Sequence, residues 1–227
     1  MRAADARTAT RTSLRTAGIM VLFTVAFTAL MASAYTLTRP TIEASQNAAR
    51  LRLINELLPA AYFDNDLLAD HIDIGPTPTL GLAHGGRIFR ARLHGEPVAL
   101  IVETVATDGY AGRIALAVAV AADGRVRGAR VTEHRETPGL GDYIDPRKDR
   151  NKSRPWITQF DGASFAEVTP ARWTVKRDGG HFDAPAGATI SARATTHAIG
   201  RAARFAIEHA DTLFHAAAGA RLEDISE

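Results

Sequence analysis

Residues 178–191 read Asp-Gly-Gly-His-Phe-Asp-Ala-Pro-Ala-Gly-Ala-Thr-Ile-Ser, and this stretch passes from a loop into a helix. Its three glycines and one proline do not continue a regular element, whereas apolar residues recur mostly at helical spacing from Thr189 onward. These apolar residues are Ile190, Ala194, Ile199, Ala202, Phe205, Ile207 and Leu213. The sequence therefore predicts a helix that begins at Thr189.

The hydroxyl of Thr189 lies at this predicted helix start, beside the small residues Gly187 and Ala188. A helix N-terminus presents free N–H groups and the positive end of the helix dipole, and both favour a phosphate. Threonine is also a common N-cap residue, so composition alone leaves an ordinary N-cap as the alternative.

Four segments upstream of this stretch are typical of strands: Arg87–Leu93, Val98–Ala106, Arg113–Ala121 and Arg125–Glu133. The short glycine-containing turns between them favour antiparallel neighbours. The third segment is apolar from Ile114 to Val120, which predicts a central strand. A further strand is predicted at Arg172–Lys176. Strands followed by a helix that covers one face of the sheet predict an α+β domain.

Residues 133–142 read Glu-His-Arg-Glu-Thr-Pro-Gly-Leu-Gly-Asp and follow the last of these four strands. Pro138-Gly139 suits the two central positions of a type II turn, so we expect a tight, exposed loop. Composition alone leaves a charged, solvated hairpin tip as the alternative.

An uncharged apolar run extends from Ala17 to Thr38, between Arg15 and Arg39, and is long enough to cross a bilayer as a helix. A cleavable signal peptide is the alternative, because Ala32-Ser33-Ala34 has the form of a signal-peptidase site. The length of the run and the apolar residues after Ala34 favour an uncleaved anchor. Arginines precede the run with only one acidic residue among them, so the N-terminus is expected in the cytoplasm. These residues are Arg2, Arg7, Arg11 and Arg15, with Asp5.

Residues Thr41–Leu58 form a polar helix with an apolar stripe that ends at Pro59. This helix either stands off the membrane or packs on the folded domain, and the sequence does not choose between the two. Clusters of Asp, Gly and Pro over Asp64–Gly85 predict an irregular linker.

Composition limits the chemistry of the chain, which has 227 residues, a formal net charge of +2 and no cysteine. The length fits one domain with accessory segments. The small net charge does not indicate a nucleic-acid surface. The lack of cysteine excludes disulfides, cysteine-ligated iron–sulfur clusters and covalent c-type haem in this chain. Any redox chemistry therefore needs another cofactor.

Two further groups of side chains do not predict a metal site. His209 and His215 lie on different faces of a helix and do not form a metal pair. Three aspartates occur among three basic residues, and this charge pattern favours a solvated loop over a cation site. These residues are Asp142, Asp145 and Asp149, with Arg147, Lys148 and Arg150.

The run Asp183-x-x-Ala186-Gly187-Ala188-Thr189 resembles the flavinylation motif Asp-x-x-Ser/Thr-Gly-Ala-Thr. This motif belongs to the FMN-binding subunits of two respiratory complexes, Rnf and the sodium-translocating NADH:quinone reductase. In that family the last threonine carries FMN through a phosphoester. The chain departs from the motif at Ala186, and also at residues 191 and 192, but keeps the attachment residue.

Four other short sequence motifs of the same family occur in the same order along the chain as in the family, at residues 109–112, 136–141, 156–160 and 178–183. The resemblance covers Ala83–Leu213, and the N-terminal span adds to it. Arg193-Ala194 and the modest length make the chain more similar to the G subunit of Rnf. The C subunit of the sodium-translocating quinone reductase stays as the alternative.

The resemblance implies an electron-relay subunit of an ion-translocating complex that moves electrons between ferredoxin and NAD. It implies FMN joined covalently to Thr189 by an external flavin transferase that uses FAD. The implied partners are the other Rnf membrane subunits and the lipid bilayer, with no nucleic acid. Gly187 and Ala188 would belong to the motif that the transferase recognises, with Asp183 at its start. The candidates for lining the flavin are Glu136, Thr137, Gly139 and Leu140, and neither a catalytic base nor a metal is implied.

We therefore predict a cytoplasmic N-terminus over residues 1–16, a transmembrane helix over 17–38, and a stalk helix and linker over 39–82. An antiparallel-sheet FMN-binding domain with packed helices follows over 83–216, and a C-terminal tail over 217–227. Such a protein is anchored by a single span in the bacterial inner membrane, with its FMN domain on the periplasmic side. A membrane-anchored flavin-binding or sensory module without electron transfer is the alternative from another class.

Overall fold

The computed structural model describes residues 2–223, and it describes their side chains except at residues 2–12, 43, 46 and 47. The chain divides into two compact units, Met1–Arg50 and Leu51–Glu227, and each is described separately. Residues 224–227 of the predicted tail lie outside the described part of the chain.

Helix α1 spans Arg2–Leu57 and includes Pro40. It supplies the whole described part of the first unit. Its segment Ser13–Ile42 is 30 residues long, apolar enough to cross a membrane, and unburied throughout. This segment contains the apolar run predicted at 17–38. Exposed apolar side chains on every face of a helix of this length are expected of a segment that lipid surrounds.

The second unit is built on one six-stranded sheet with the order β5-β4-β3-β2-β1-β6. The strands are β1 His71–Ile74, β2 Gly86–Leu93, β3 Glu96–Gly109, β4 Gly112–Ala121, β5 Val126–Glu133 and β6 Arg221–Leu222. Strands β2 to β5 form an antiparallel meander. This confirms the four predicted strands, and β4 is paired on both sides, as its apolar run from Ile114 to Val120 predicted.

Both faces of the sheet are covered. Helix α2, Thr189–Glu208, packs on one face together with α3, Ala210–His215, and buries the main core between helix and sheet. On the other face, Ile54 and Leu57 at the end of α1 pack on apolar side chains of β2, β3 and β4. The end of the predicted stalk helix therefore packs on the domain.

The structure differs from the sequence expectation at one edge of the sheet, where two strands that were not predicted follow β2. The segment predicted as an irregular linker contains β1, which pairs antiparallel with β2, and β6 in the predicted tail pairs in parallel with β1. Arg90 of β2 holds this edge, because its buried guanidinium donates to Asp70 and to the carbonyl oxygens of Leu213 and Ala216.

The strand predicted over Arg172–Lys176 is wrong. Turns of 3₁₀ helix occupy Pro170–Arg172 and Lys176–Asp178, and only an isolated bridge joins Val175 to Phe182. The alternating burial of Trp173 and Val175 arises from an aromatic cluster, in which the Trp173 ring lies 5.1 Å from that of Phe182. Alternation indicates a strand only where a neighbouring strand is within pairing distance.

Candidate functional site

The loop that follows β5 forms the tight turn that the sequence predicted. The carbonyl oxygen of Thr137 accepts from the N–H groups of Leu140 and Gly141, both at 3.1 Å. Gly139 has a φ of 76°, which a type II turn requires at its third position and which glycine adopts without strain. The N–H of Gly139 donates to Oδ1 of Asp142 at 2.9 Å, so the far side of the turn is also held.

Glu136, at the start of this loop, joins three parts of the chain. It is only 4 % exposed, and its Oε2 accepts from the Ser191 hydroxyl at 2.6 Å. Its other oxygen, Oε1, accepts from the N–H of Ala111 in the β3–β4 turn at 3.1 Å. The carboxylate thus ties the 136–141 loop to the first turn of α2. Because both oxygens already accept hydrogen bonds from the protein, Glu136 is suited to positioning the loop.

Two glycines leave the space that this carboxylate occupies. A Cβ atom on Gly109 would lie 2.8 Å from Oε1 of Glu136, and a Cβ atom on Gly141 would lie 2.7 Å from Oε2. Carbon atoms do not approach oxygen this closely without displacement. The Glu136 carboxylate therefore leaves no room for a side chain at position 141, and at position 109 it adds to the closer approach of the Gly112 carbonyl oxygen, which would lie 2.3 Å from a Cβ.

Thr189 is the first residue of α2 and is 9 % exposed. The N-cap is Ala188, which makes no side-chain capping bond, so the alternative of an ordinary N-cap threonine does not hold. Instead, Oγ1 of Thr189 lies 3.5 Å from Nη1 of Arg177. Two residues before it, Gly187 has a φ of 87°, and no heavy atom lies within 4 Å of where its Cβ would be, so this point of the loop faces open space.

Arg177 differs from the other cations near Thr189 in its partners. Nζ of Lys176 forms an ion pair with Asp183 at 2.8 Å, and the guanidinium of Arg193 binds Asp178 through two hydrogen bonds. The second contact holds the pKa of Asp178 below its usual value. Within the described part of the chain, Arg177 forms no ion pair and its polar contact is the Thr189 hydroxyl. The positive charge nearest to Thr189 is therefore not neutralised by a carboxylate in contact with it.

Asp183, at the start of the motif loop of residues 183–188, is fixed by its backbone. Its N–H donates to Oε1 of Gln159 at 2.7 Å, and its carbonyl oxygen accepts from Nε1 of Trp156 at 2.7 Å. These two contacts explain why the sequence motif at residues 156–160 accompanies the flavinylation motif: its side chains hold the beginning of the loop that ends at Thr189.

Tyr143 holds the other end of the motif loop, and no sequence pattern indicated this role. Its hydroxyl donates to the carbonyl oxygen of Ala188 at 3.0 Å. Burial, together with the negative charges of Glu136 and Asp149, raises the pKa of Tyr143, so the phenol stays protonated and remains a donor.

Three large apolar side chains are exposed in the segments that Glu136 joins. They are Tyr110, Leu140 and Ile190, which are 68 %, 59 % and 44 % exposed. Leu140 is one of the flavin-lining candidates, and Thr137 and Gly139 are exposed beside it. Tyr110 and Ile190 were not predicted to line the flavin, although Tyr110 lies in the motif at residues 109–112 and Ile190 directly follows Thr189. Exposed apolar side chains of this size suit contact with a flat apolar ring system.

The aspartates of residues 142–149 do not form the solvated loop that their charge pattern predicted. All three are buried, because each accepts local hydrogen bonds that fold the segment on itself. Asp142 accepts from Gly139, Asp145 binds Arg147, and Asp149 accepts from the N–H groups of Asn151 and Trp156. Among the described residues, no group of three or more metal-ligating side chains occurs.

The chain is similar to known proteins over most of its length. Residues 109–204 match the family described as FMN-binding domain, and residues 1–57 match the family described as RnfG N-terminal region. The chain is also similar to the solved crystal structure of Shewanella oneidensis NqrC, with 26 % sequence identity and a TM-score of 0.43. The match covers 63 % of this chain and 67 % of the NqrC chain. The family match thus defines the class of the protein, one with an FMN-binding domain.

The relatives narrow this class. The chain is 41 % identical over 195 residues to the G subunit of the ion-translocating oxidoreductase complex of Pseudomonas aeruginosa, covering 86 % of this chain and 89 % of the relative. It is 37 % identical over 213 residues to the protein of the same name from Shewanella loihica, covering 94 % and 98 %. The chain belongs to the family of the G subunits of ion-translocating oxidoreductase complexes.

Proposed function

We propose that this chain carries FMN in a phosphoester to the Thr189 hydroxyl and passes electrons within an ion-translocating ferredoxin:NAD oxidoreductase complex of the Rnf type. The observation that carries the proposal is the placement of Thr189. A hydroxyl at the first residue of α2 lies beside Arg177, at the end of a loop that is fixed by Tyr143 and Asp183.

The attachment step is a phosphoryl transfer from FAD, carried out by an external flavin transferase. The Thr189 oxygen bonds to the phosphorus on the FMN side, the pyrophosphate bond breaks, AMP leaves, and the hydroxyl proton is lost. The resulting phosphodiester keeps one negative charge. Arg177 is within reach to balance that charge, and the first N–H groups of α2, which lack a side-chain cap, favour it further.

In this proposal, the neighbouring residues serve either the flavin ring or the flavin transferase. Leu140, with Tyr110 and Ile190, offers exposed apolar surface for the ring system, and Thr137 and Gly139 shape the turn that presents Leu140. Glu136 positions this turn against α2. Gly187 and Ala188 leave the approach that the transferase needs, and Asp183 anchors the start of the recognised segment.

Bound FMN supplies one-electron and two-electron redox chemistry, so the protein needs to supply position, polarity and access. A covalent bond suits this role because the occupancy of a noncovalent site depends on the ratio of the free cofactor concentration to the dissociation constant, whereas a covalent bond removes that dependence. The proposed partners are the other subunits of the complex, which donate and accept the electrons.

Peptide mass spectrometry tests the attachment. The chain is produced in a strain with an active flavin transferase and digested with a protease. We expect the mass of FMN on the peptide that contains Thr189. An unmodified Thr189 peptide from that strain, with flavin absent from the intact chain, would contradict the proposed function.

Replacing Arg177 with glutamine should slow flavinylation at least about tenfold, because a charge-assisted contact to a phosphate contributes roughly 1.5–3 kcal/mol. The rate is measured as covalent flavin fluorescence on denaturing gels during incubation with transferase and FAD. Arg177→Lys should recover part of the rate. Lys176→Gln is the matched control, because Lys176 is paired with Asp183. Equal rates for Arg177→Gln and the wild type would remove Arg177 from the proposal.

We further propose that residues 1–16 lie in the cytoplasm, residues 17–38 cross the inner membrane, and the FMN domain over 83–216 lies in the periplasm. The support is the apolar helix Ser13–Ile42 and the excess of arginine before it. An alkaline phosphatase fused after Glu227 should be active, because this reporter functions only after export. A silent phosphatase together with a fluorescent cytoplasmic reporter at the same position would reverse the orientation.

A further inference from the structure

A cleft of about 750 Å³ lies beside α2, well along the helix from Thr189. Its lining combines aromatic and charged side chains, among them Phe165, Trp173, His197, Arg201, Arg204 and Glu208. We call it the α2 cleft. Clefts of about 300–1,000 Å³ commonly bind small organic molecules, with a few polar groups that fix orientation. The side chains of the α2 cleft therefore define which molecule would fit.

Arg201 is the unusual member of this lining, because it is half-buried without a counter-ion in contact. Its Nη2 donates to the carbonyl oxygen of Val105 at 3.3 Å, and it forms no ion pair with any described residue. Burial lowers the pKa of Arg201, and the charge of Asp108 offsets this only in part. A half-buried cation with no carboxylate in contact costs desolvation free energy, and a bound anion would offset that cost.

Arg204 adds a second positive charge on the same side of the helix, three residues further on. Its guanidinium lies over the ring of Phe165, with Cζ 5.4 Å from the ring centroid, and forms no ion pair among the described residues. Glu208 contributes the negative charge of the lining. Burial lowers the pKa of His197, so this imidazole is neutral at pH 7 and adds no further positive charge to the lining.

Aromatic surface surrounds these charges. The Trp173 ring fills the space that a side chain at position 200 would need, since a Cβ on Gly200 would lie 2.4 Å from Cδ1 of Trp173. Its indole N–H donates to the carbonyl oxygen of Thr196 at 3.1 Å, so the ring is held in place. The Trp173 ring is only 5 % exposed, so it closes the inner side of the cleft. Phe165, which packs on it and is partly exposed, is the aromatic side chain that a flat, anionic ligand would contact.

We propose that the α2 cleft binds an organic anion with a flat apolar body, of the class of aromatic carboxylates. Arg201 binds the carboxylate, for which the planar guanidinium is geometrically matched, while the partly exposed ring of Phe165 contacts the ring of the ligand. Arg201 is separated from Thr189 by about three turns of α2, roughly 18 Å along the helix axis. The cleft is therefore a site distinct from the proposed flavin attachment, and its occupancy does not depend on FMN.

The test compares two probes of equal shape, 2-naphthoate and its uncharged amide 2-naphthamide. Their binding to the full chain in lipid nanodiscs is measured by isothermal titration calorimetry at low ionic strength. We expect naphthoate to bind at least about tenfold more tightly than naphthamide, and Arg201→Gln to lower the affinity for naphthoate at least about tenfold. The affinity for naphthamide should change little.

Arg113→Gln is the matched control, because it removes the same charge from an exposed side chain outside the cleft. It should leave both affinities unchanged. Equal affinities for the two probes, or unchanged naphthoate binding by Arg201→Gln, would each overturn the proposal.

Discussion

The variant Thr189→Val should be a folded, membrane-inserted chain without covalent flavin. Valine has the shape of threonine but no oxygen nucleophile, so the phosphoester cannot form. The folding cost should stay within about 1 kcal/mol, because the hydroxyl makes one long contact, to Arg177 at 3.5 Å. Covalent flavin is measured by in-gel fluorescence of the denatured chain. Assembly of the complex is followed by copurification of its other subunits.

Two matched variants separate the chemistry from the local structure. Thr189→Ser keeps a hydroxyl at the same position and should retain covalent flavin. Ser191→Ala removes the nearest other hydroxyl of α2, which donates to Glu136, and should still carry flavin on Thr189, although it gains the flavin more slowly because it breaks that contact. Flavin that persists on Thr189→Val and disappears from Ser191→Ala would move the attachment to Ser191 and contradict the central proposal.

The variant Glu136→Ala should destabilise the domain by about 2–3 kcal/mol and slow flavinylation as well. The Ser191 hydroxyl is buried and would lose its acceptor, and the N–H of Ala111 would lose the bond that holds the β3–β4 turn. Leaving a buried donor unpaired costs roughly 1–3 kcal/mol. The free energy of unfolding is measured by urea denaturation of the solubilised chain. The fluorescence of Trp156 and Trp173 reports on the second unit, which contains both residues.

Two further variants test whether the contact itself is responsible. Glu136→Gln keeps the shape and one acceptor oxygen, so its cost should be less than half that of Glu136→Ala. Gly141→Ala leaves the carboxylate intact but places a Cβ 2.7 Å from Oε2 of Glu136 and 2.8 Å from Oγ of Ser191. It should lower stability and flavinylation together. Wild-type values for both Glu136→Ala and Gly141→Ala would show that the contact does not hold the loop.

The local features of the site could be predicted because neighbouring residues determine them. Pro138-Gly139 specified a turn in which glycine has a positive φ, and the structure has this turn. The spacing of apolar residues after Thr189 specified a helix, and α2 begins at that residue. The strands β2 to β5 followed from short turns, because a connection of a few residues permits only antiparallel neighbours.

The contacts that assemble the site could not be predicted in this way. The hydrogen bond between Glu136 and Ser191 joins residues 55 positions apart, and no local pattern in either segment predicts that the two segments meet. Arg177 was overlooked because charged residues in a loop are mostly solvated, and its proximity to Thr189 depends on how two loops fold together. The buried aspartates of residues 142–149 were misjudged because charge pattern does not report local hydrogen bonding.

Elements with local causes follow from the amino-acid sequence: an apolar run long enough to span a bilayer, four strands joined by short turns, and a helix that starts at Thr189. Contacts between distant segments add β1 and β6 to the sheet, keep residues 172–176 out of it, and let one buried carboxylate join three segments. The difference lies in the range of the forces involved. Turn geometry and periodicity act between neighbours, whereas burial and hydrogen-bond pairing depend on which distant surfaces meet.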